Sequence, residues 1–151
     1  MAQKLLVRIG EPVEVELEGL RVSVRRREVG PDGGHTLEVS GPVAGERAEL
    51  LRFDLFRLGP HYHVPASNPD QVDLDPADGD PLEFALDCLR DRLASLLAEA
   101  AFPELARSVA AQPPAALAGF AERVRAAVKQ APEPSTSYEI EIPESGTVLR
   151  N

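Results

Sequence analysis

Val13, Val15 and Leu17 alternate with Glu14, Glu16 and Glu18. A period of two marks a strand buried on one side only. Gly19 turns the chain into a second strand, where Leu20, Val22 and Val24 alternate with Arg21, Ser23 and Arg25 as far as about residue 29. Gly30-Pro31-Asp32-Gly33-Gly34 is turn chemistry. Residues 35–40 return as a third strand with Leu37 and Val39 inward, and the three form a meander. After Gly41-Pro42 and Gly45, residues 49–58 read as a fourth strand. It is bulky on both sides, with Leu51, Phe53 and Leu55 on one face and Arg52, Asp54 and Phe56 on the other. Gly59-Pro60 breaks it, and residues 61–64 resume as a short extended piece.

Residues 66–80 are rich in Pro and Asp and read as an acidic surface loop. Asp80-Pro81-Leu82-Glu83 then has the chemistry of a helix start: a capping carboxylate, proline in the first turn and an acid at capping-box spacing. Leu82, Leu86, Leu89, Leu93, Leu96 and Leu97 keep the spacing of one apolar stripe, and this helix is expected to end near Phe102-Pro103. A shorter helix follows over 104–110. A further one starts at Pro113-Pro114, with Leu117, Phe120, Val124 and Val128 inward. After a Pro/Ser linker, Tyr138, Ile140 and Ile142 alternate with Glu139 and Glu141 as a last strand, free to rejoin the sheet or to pair with a partner. The expectation is a single α+β domain over residues 1–151: strand-rich over 1–65, an acidic loop over 66–80, helical over 81–130, and a C-terminal strand over 138–143. Its sheet is expected to be antiparallel, of about five strands, with two to three helices packed on one face.

Composition sharpens this picture. With 151 residues, 43% of them hydrophobic and 27% charged, the chain is long and apolar enough for one core. A net charge of −9 repels nucleic acid and anionic lipid, so neither a nucleic-acid nor a membrane partner is expected. No apolar run reaches the length that crosses a bilayer, and residues 1–10 are too short and interrupted for a secretory leader. Cys88 is the single cysteine, which fits a reducing compartment. A soluble, cytoplasmic protein is the expectation.

Chemistry concentrates between Asp54 and His63. His61 and His63 are two of only three histidines. On an extended segment they point the same way, because side chains repeat every second residue. A reversal at Gly59-Pro60 brings them opposite Asp54. Two imidazoles and a carboxylate on one patch can hold a divalent transition metal with open positions. They can equally do acid–base work, with Arg52 as a phosphate anchor. The plainer alternative is that the rings satisfy buried backbone groups. His35 shares the parity of Leu37 and Val39 and reads as structural, with a third imidazole ligand as the alternative. Arg21, Arg25 and Arg27 form a stripe suited to phosphate or an acidic partner, but Glu14, Glu16 and Glu18 on the neighbouring strand are the expected pairs. The carboxylates from Asp73 to Asp80 lack the ordered spacing of a calcium loop. Cys88 sits beside Asp87, which disfavours a thiolate.

The run Leu51-Arg52-Phe53-Asp54-Leu55-Phe56, followed by Pro60-His61-Tyr62-His63 and by Asp80-Pro81-Leu82 opening a helix, resembles an uncharacterised bacterial domain family over roughly residues 50–106. That resemblance implies no catalytic assignment. The placing of an Arg-x-Asp strand before a His-rich segment is also similar to TumE-type toxins. This second likeness implies a ribonuclease with Arg52, Asp54, His61 and His63 in its site. Two functions remain open at this level. One is a small binding or accessory protein acting through protein–protein contacts, with a protein partner or a second copy of itself. Its grounds are the lack of a complete catalytic set and a final strand able to extend another sheet. The other is a metal-dependent or histidine-based enzyme, hydrolase or ribonuclease in type, built on Asp54, His61 and His63. The cofactor stays unspecified, a divalent transition metal being the candidate.

Overall fold

The computed structural model describes residues 3–67 and 69–142. The first two positions of the segment weighed as a leader, residue 68 of the acidic loop and the end of the final strand at residue 143 lie outside that range. Among the described residues, eight strands form one antiparallel sheet: β1 (Gln3–Ile9), β2 (Val13–Leu17), β3 (Leu20–Val29), β4 (Asp32–Val43), β5 (Glu46–Phe56), β6 (His61–His63), β7 (Gln71–Asp73) and β8 (Thr136–Ile142). Their order is β7-β6-β5-β4-β3-β1-β8, and β2 pairs with the first half of β3 while β1 pairs with its end. Between β7 and β8 come α1 (Pro81–Asp87), a π turn (Cys88–Arg92), α2 (Leu93–Glu99), α3 (Pro103–Ala110) and α4 (Pro114–Gln130).

This corrects the expected sheet of about five strands with helices on one face. The molecule is mainly sheet, with strand accounting for 42% of the described structure. Part of the reason is that two hairpins turn within two residues, so strand continues where loops were expected. Val29 pairs with Asp32 across Gly30-Pro31, and Val43 with Glu46 across Ala44-Gly45. Ala44 and Gly45 both have positive φ (52° and 83°), the backbone whose twist matches the flanking strands. The remainder comes from β1 and β7. In β1, Leu5, Val7 and Ile9 face inward between exposed Lys4, Leu6 and Arg8, and the outward Leu6 blurs the alternation. Strand β7 has one apolar residue among Gln71, Val72 and Asp73 and exists by pairing with β6. The last strand rejoins its own sheet, paired with β1 from Gln3↔Ile142 to Ile9↔Thr136.

Val22, Val24, Leu37, Val39, Leu51 and Phe53 leave the sheet fully buried and meet Leu86, Leu89, Leu93, Leu97, Phe120 and Val124 from the helices. Each such side chain contributes about 1.5–3 kcal/mol by leaving water. The Phe53 ring stacks on Tyr62 at 5.6 Å, which in turn meets Phe84 at 5.4 Å, fastening β6 to α1. Asp80 accepts from the Leu82 N–H at 3.0 Å and caps α1. Among the described residues, no helix is long and apolar enough to cross a membrane.

Candidate functional site

Strand pleating puts Arg52, Asp54, His61 and His63 together on the side of the sheet away from the helices. Asp54 is the cross-strand neighbour of His61 and Arg52 that of His63, while Phe53 and Tyr62 between them point into the core. Thr36 of β4 lies beside Asp54 in the next strand. The Asp54 side chain is 1% exposed, yet five groups converge on its two oxygens. Thr36 Oγ1 donates to Oδ1 at 2.9 Å and Arg27 approaches the same oxygen at 3.4 Å. On Oδ2, Arg52 Nε donates at 3.1 Å, His61 Nε2 lies at 3.0 Å and His63 Nε2 at 3.5 Å. Burial alone would raise the pKa of this carboxyl. The two imidazoles, the Arg52 charge and the Thr36 hydroxyl outweigh that and hold it well below the usual carboxylate range.

The far side of each ring is also held. His61 Nδ1 lies 2.8 Å from the Gly59 carbonyl oxygen. A carbonyl only accepts, so Nδ1 carries the hydrogen there, and Nε2 is the ring nitrogen that meets Asp54 Oδ2. His63 Nδ1 faces Asp70 Oδ1 at 3.4 Å. Carbonyl and carboxylate are the partners that orient metal-ligating imidazoles. The reversal after β5 is a loop rather than a tight turn at Gly59-Pro60. Asp32 clamps it, accepting from Leu58 N and Gly59 N at 2.8 and 2.9 Å, so Asp32 fixes the carbonyl that fixes His61.

The donor set fits a metal ion. Bonds of 2.0–2.2 Å from nitrogen and oxygen place neighbouring ligand atoms about 3 to 3.5 Å apart. Oδ2 lies 3.0 and 3.5 Å from the two Nε2 atoms, and the three groups fall within 4.8 Å of one another. Asp54 and His61 line a cleft of about 530 Å³, together with Arg27, Arg52, Asp32, Val29, Phe56, Leu58 and Tyr138.

Other expectations resolve as follows. Arg21 pairs with Glu14 at 3.1 Å and Glu16 at 2.8 Å, as opposite charges on a hairpin do, whereas Arg27 of the same stripe turns to Asp54. His35 lies apart from the cluster, hydrogen-bonded to the backbone at Val128 of α4. Asp75 and Asp80 serve as caps of a short 3-10 turn and of α1. Burial, aided by Asp87, pushes the Cys88 thiol up to about 11. Sequence reasoning missed Thr36 and Asp32, and it had Arg27 in another role. The one signal for Asp32 is an aspartate at a Gly-Pro turn, where side-chain acceptors cap backbone N–H groups.

A mainly antiparallel β protein with a buried carboxylate and one imidazole lining a cleft, and a second imidazole beside them, is thus the class in view. The chain belongs to the family described as Domain of unknown function (DUF7700), whose model matches residues 14–129. No curated protein and no solved structure gives a significant match. The matched span contains all of the Asp54 cluster and excludes β1 and β8.

Proposed function

We propose that this protein binds a divalent transition metal through Asp54 Oδ2, His61 Nε2 and His63 Nε2 and works as a metal-dependent enzyme of hydrolytic type. The observation that carries the reading is the convergence of two imidazole Nε2 atoms on one carboxylate oxygen at 3.0 and 3.5 Å, each imidazole backed at Nδ1 by an acceptor. A three-ligand site of this kind leaves coordination positions for water or a bound molecule, and a metal there supplies Lewis acidity and an activated water. The protein's own part is orientation: Thr36 and Arg27 hold Oδ1, and Arg52 Nε meets Oδ2 beside the position an ion would take.

The histidine-based variant, with a ribonuclease-like general base, has less support. A general base needs a nitrogen lone pair within reach of substrate. The two Nε2 atoms instead converge on one carboxylate oxygen, at the separation of neighbouring ligands. The contact-protein reading loses one of its grounds, because β8 is taken up by β1 of the same chain.

Elemental analysis and zinc or cobalt titration test the proposal. The native chain should hold one metal ion, and the cobalt form should show the visible bands of a low-coordinate site. His61→Ala combined with His63→Ala should abolish uptake. Native protein that takes up no metal after stripping and reloading, or a double variant that binds as tightly as the native chain, would overturn it.

A further inference from the structure

We infer that the cleft beside the Asp54 cluster takes a small organic anion, its carboxylate on Arg27 and Arg52 and its apolar body against Val29, Phe56 and Tyr138. The inference rests on the reading of this cleft as the protein's ligand site. It goes beyond that reading by naming the chemistry of the ligand.

Three observations carry it. The first concerns apolar surface. Among the described residues the large hydrophobic side chains left exposed are Leu6, Leu58 at 72% and Tyr138 at 44%, and the last two line this cleft. Apolar groups kept in water at the rim of a cavity are the mark of a site whose occupant covers them.

The second concerns donors and acceptors. Three carboxylates line the cleft, and each already accepts from the protein itself. Asp32 takes the N–H groups of Gly33, Leu58 and Gly59, Asp54 is met by five groups, and Asp73 accepts from Gln71 at 3.1 Å. The two guanidiniums are less fully used. Arg27 gives one long hydrogen bond, to Asp54, and lies 5.9 Å over the Phe56 ring. Arg52 gives Nε to Asp54 and reaches Glu49 at 3.5 Å. A guanidinium carries five N–H donors in a planar fork that matches a carboxylate. Apart from the metal position, the cleft therefore offers more donors than acceptors, which selects an organic anion over an organic cation.

The third is size. About 530 Å³ accommodates a metabolite-sized molecule rather than a bare ion. The apolar wall would be unused by inorganic phosphate, so the preferred ligand joins one anionic head to a hydrophobic body.

Calorimetric titration of the full chain, metal-free and zinc-loaded, with phenylacetate, phenylacetamide and inorganic phosphate provides the test. Phenylacetate should bind in both preparations, with the neutral amide at least about tenfold weaker because it forfeits the charge-assisted hydrogen bonds. Arg27→Gln and Tyr138→Ala should each weaken phenylacetate about tenfold or more, the first through the head and the second through the wall. The Tyr138 variant alters an exposed side chain and so keeps the test informative should the Arg27 variant fold poorly. Equal affinity for acid and amide, phosphate binding tighter than phenylacetate, or unchanged affinity in Tyr138→Ala would overturn the inference. Phenylacetate binding to a protein that never takes up zinc would sink the metal reading alone. Zinc uptake without phenylacetate binding would sink this inference alone.

Discussion

Asp54 stays ionised in a place where a bare carboxylate could not, because its neighbours supply what water would have supplied. Burying an unpaired charge costs several kcal/mol, and the residue is tolerated only with its lone pairs occupied. Thr36 is the least conspicuous of the five partners and makes the shortest contact to Oδ1, at 2.9 Å. Thr36→Val keeps the shape of the side chain and removes the hydroxyl, leaving Oδ1 with the long Arg27 contact alone. The expected loss is about 1–3 kcal/mol, read as a lower midpoint in urea unfolding. An unchanged midpoint would mean that the guanidinium, or water, replaces the hydroxyl without cost. Residues of this kind are invisible to sequence reasoning. Thr36 lies eighteen positions from Asp54 and meets it only through the register of β4 on β5, which shifts at a bulge between Val39 and Ser40. Asp54, His61 and His63 were legible because they sit close together in the chain, and period-two pleating alone aligns the two histidines. Both rings lie in edge-to-face contact at 4.9 Å on the side away from the leucine-rich helices.

At the scale of elements, the connection from β5 to β6 decides where His61 stands. Gly59-Pro60 signalled a break, and a break occurs, but its shape is imposed by Asp32 from the β3–β4 turn. Asp32→Ala releases the Leu58 and Gly59 N–H groups and with them the Gly59 carbonyl that orients the ring. Outer partners of metal ligands typically contribute 10–100-fold to affinity. One step further out, the Asp32 variant should weaken zinc binding by about tenfold, with the circular dichroism of the sheet retained. Native-like zinc affinity in this variant would show that Tyr62 stacking on Phe53 fixes the strand unaided. The helix from Asp80 was legible for an opposite reason: its cap, its proline and its stripe are all local. Strands β1 and β7 were not, since the exposed Leu6 blurs the alternation of β1 and β7 borrows its existence from a neighbour.

The whole molecule adds a response to acid that does not involve the cleft. His35 binds the sheet to the C-terminal end of α4, and burial, then the Arg26 charge, lowers its pKa beneath 6.5 despite the hydrogen bond at Val128. A base with a depressed folded pKa takes up its proton more readily when unfolded, so unfolding gains protons and stability falls as pH drops below the unfolded value. The urea midpoint should therefore decline between about pH 7 and pH 5, and His35→Gln should flatten that decline. An identical slope in native and variant protein would exclude His35 as its source. Asp54 adds its own loss as the pH falls through the ordinary carboxylate range and on below it. The pairing of β8 with β1 has a consequence for synthesis. Ribosomes release β1 first and β8 last among the described strands, so the Asp54, His61 and His63 donors can assemble on a nascent chain whose Tyr138 does not yet exist. On the proposed metal reading, ion capture precedes completion of the pocket wall, and a chain truncated before residue 136 separates the two events in time.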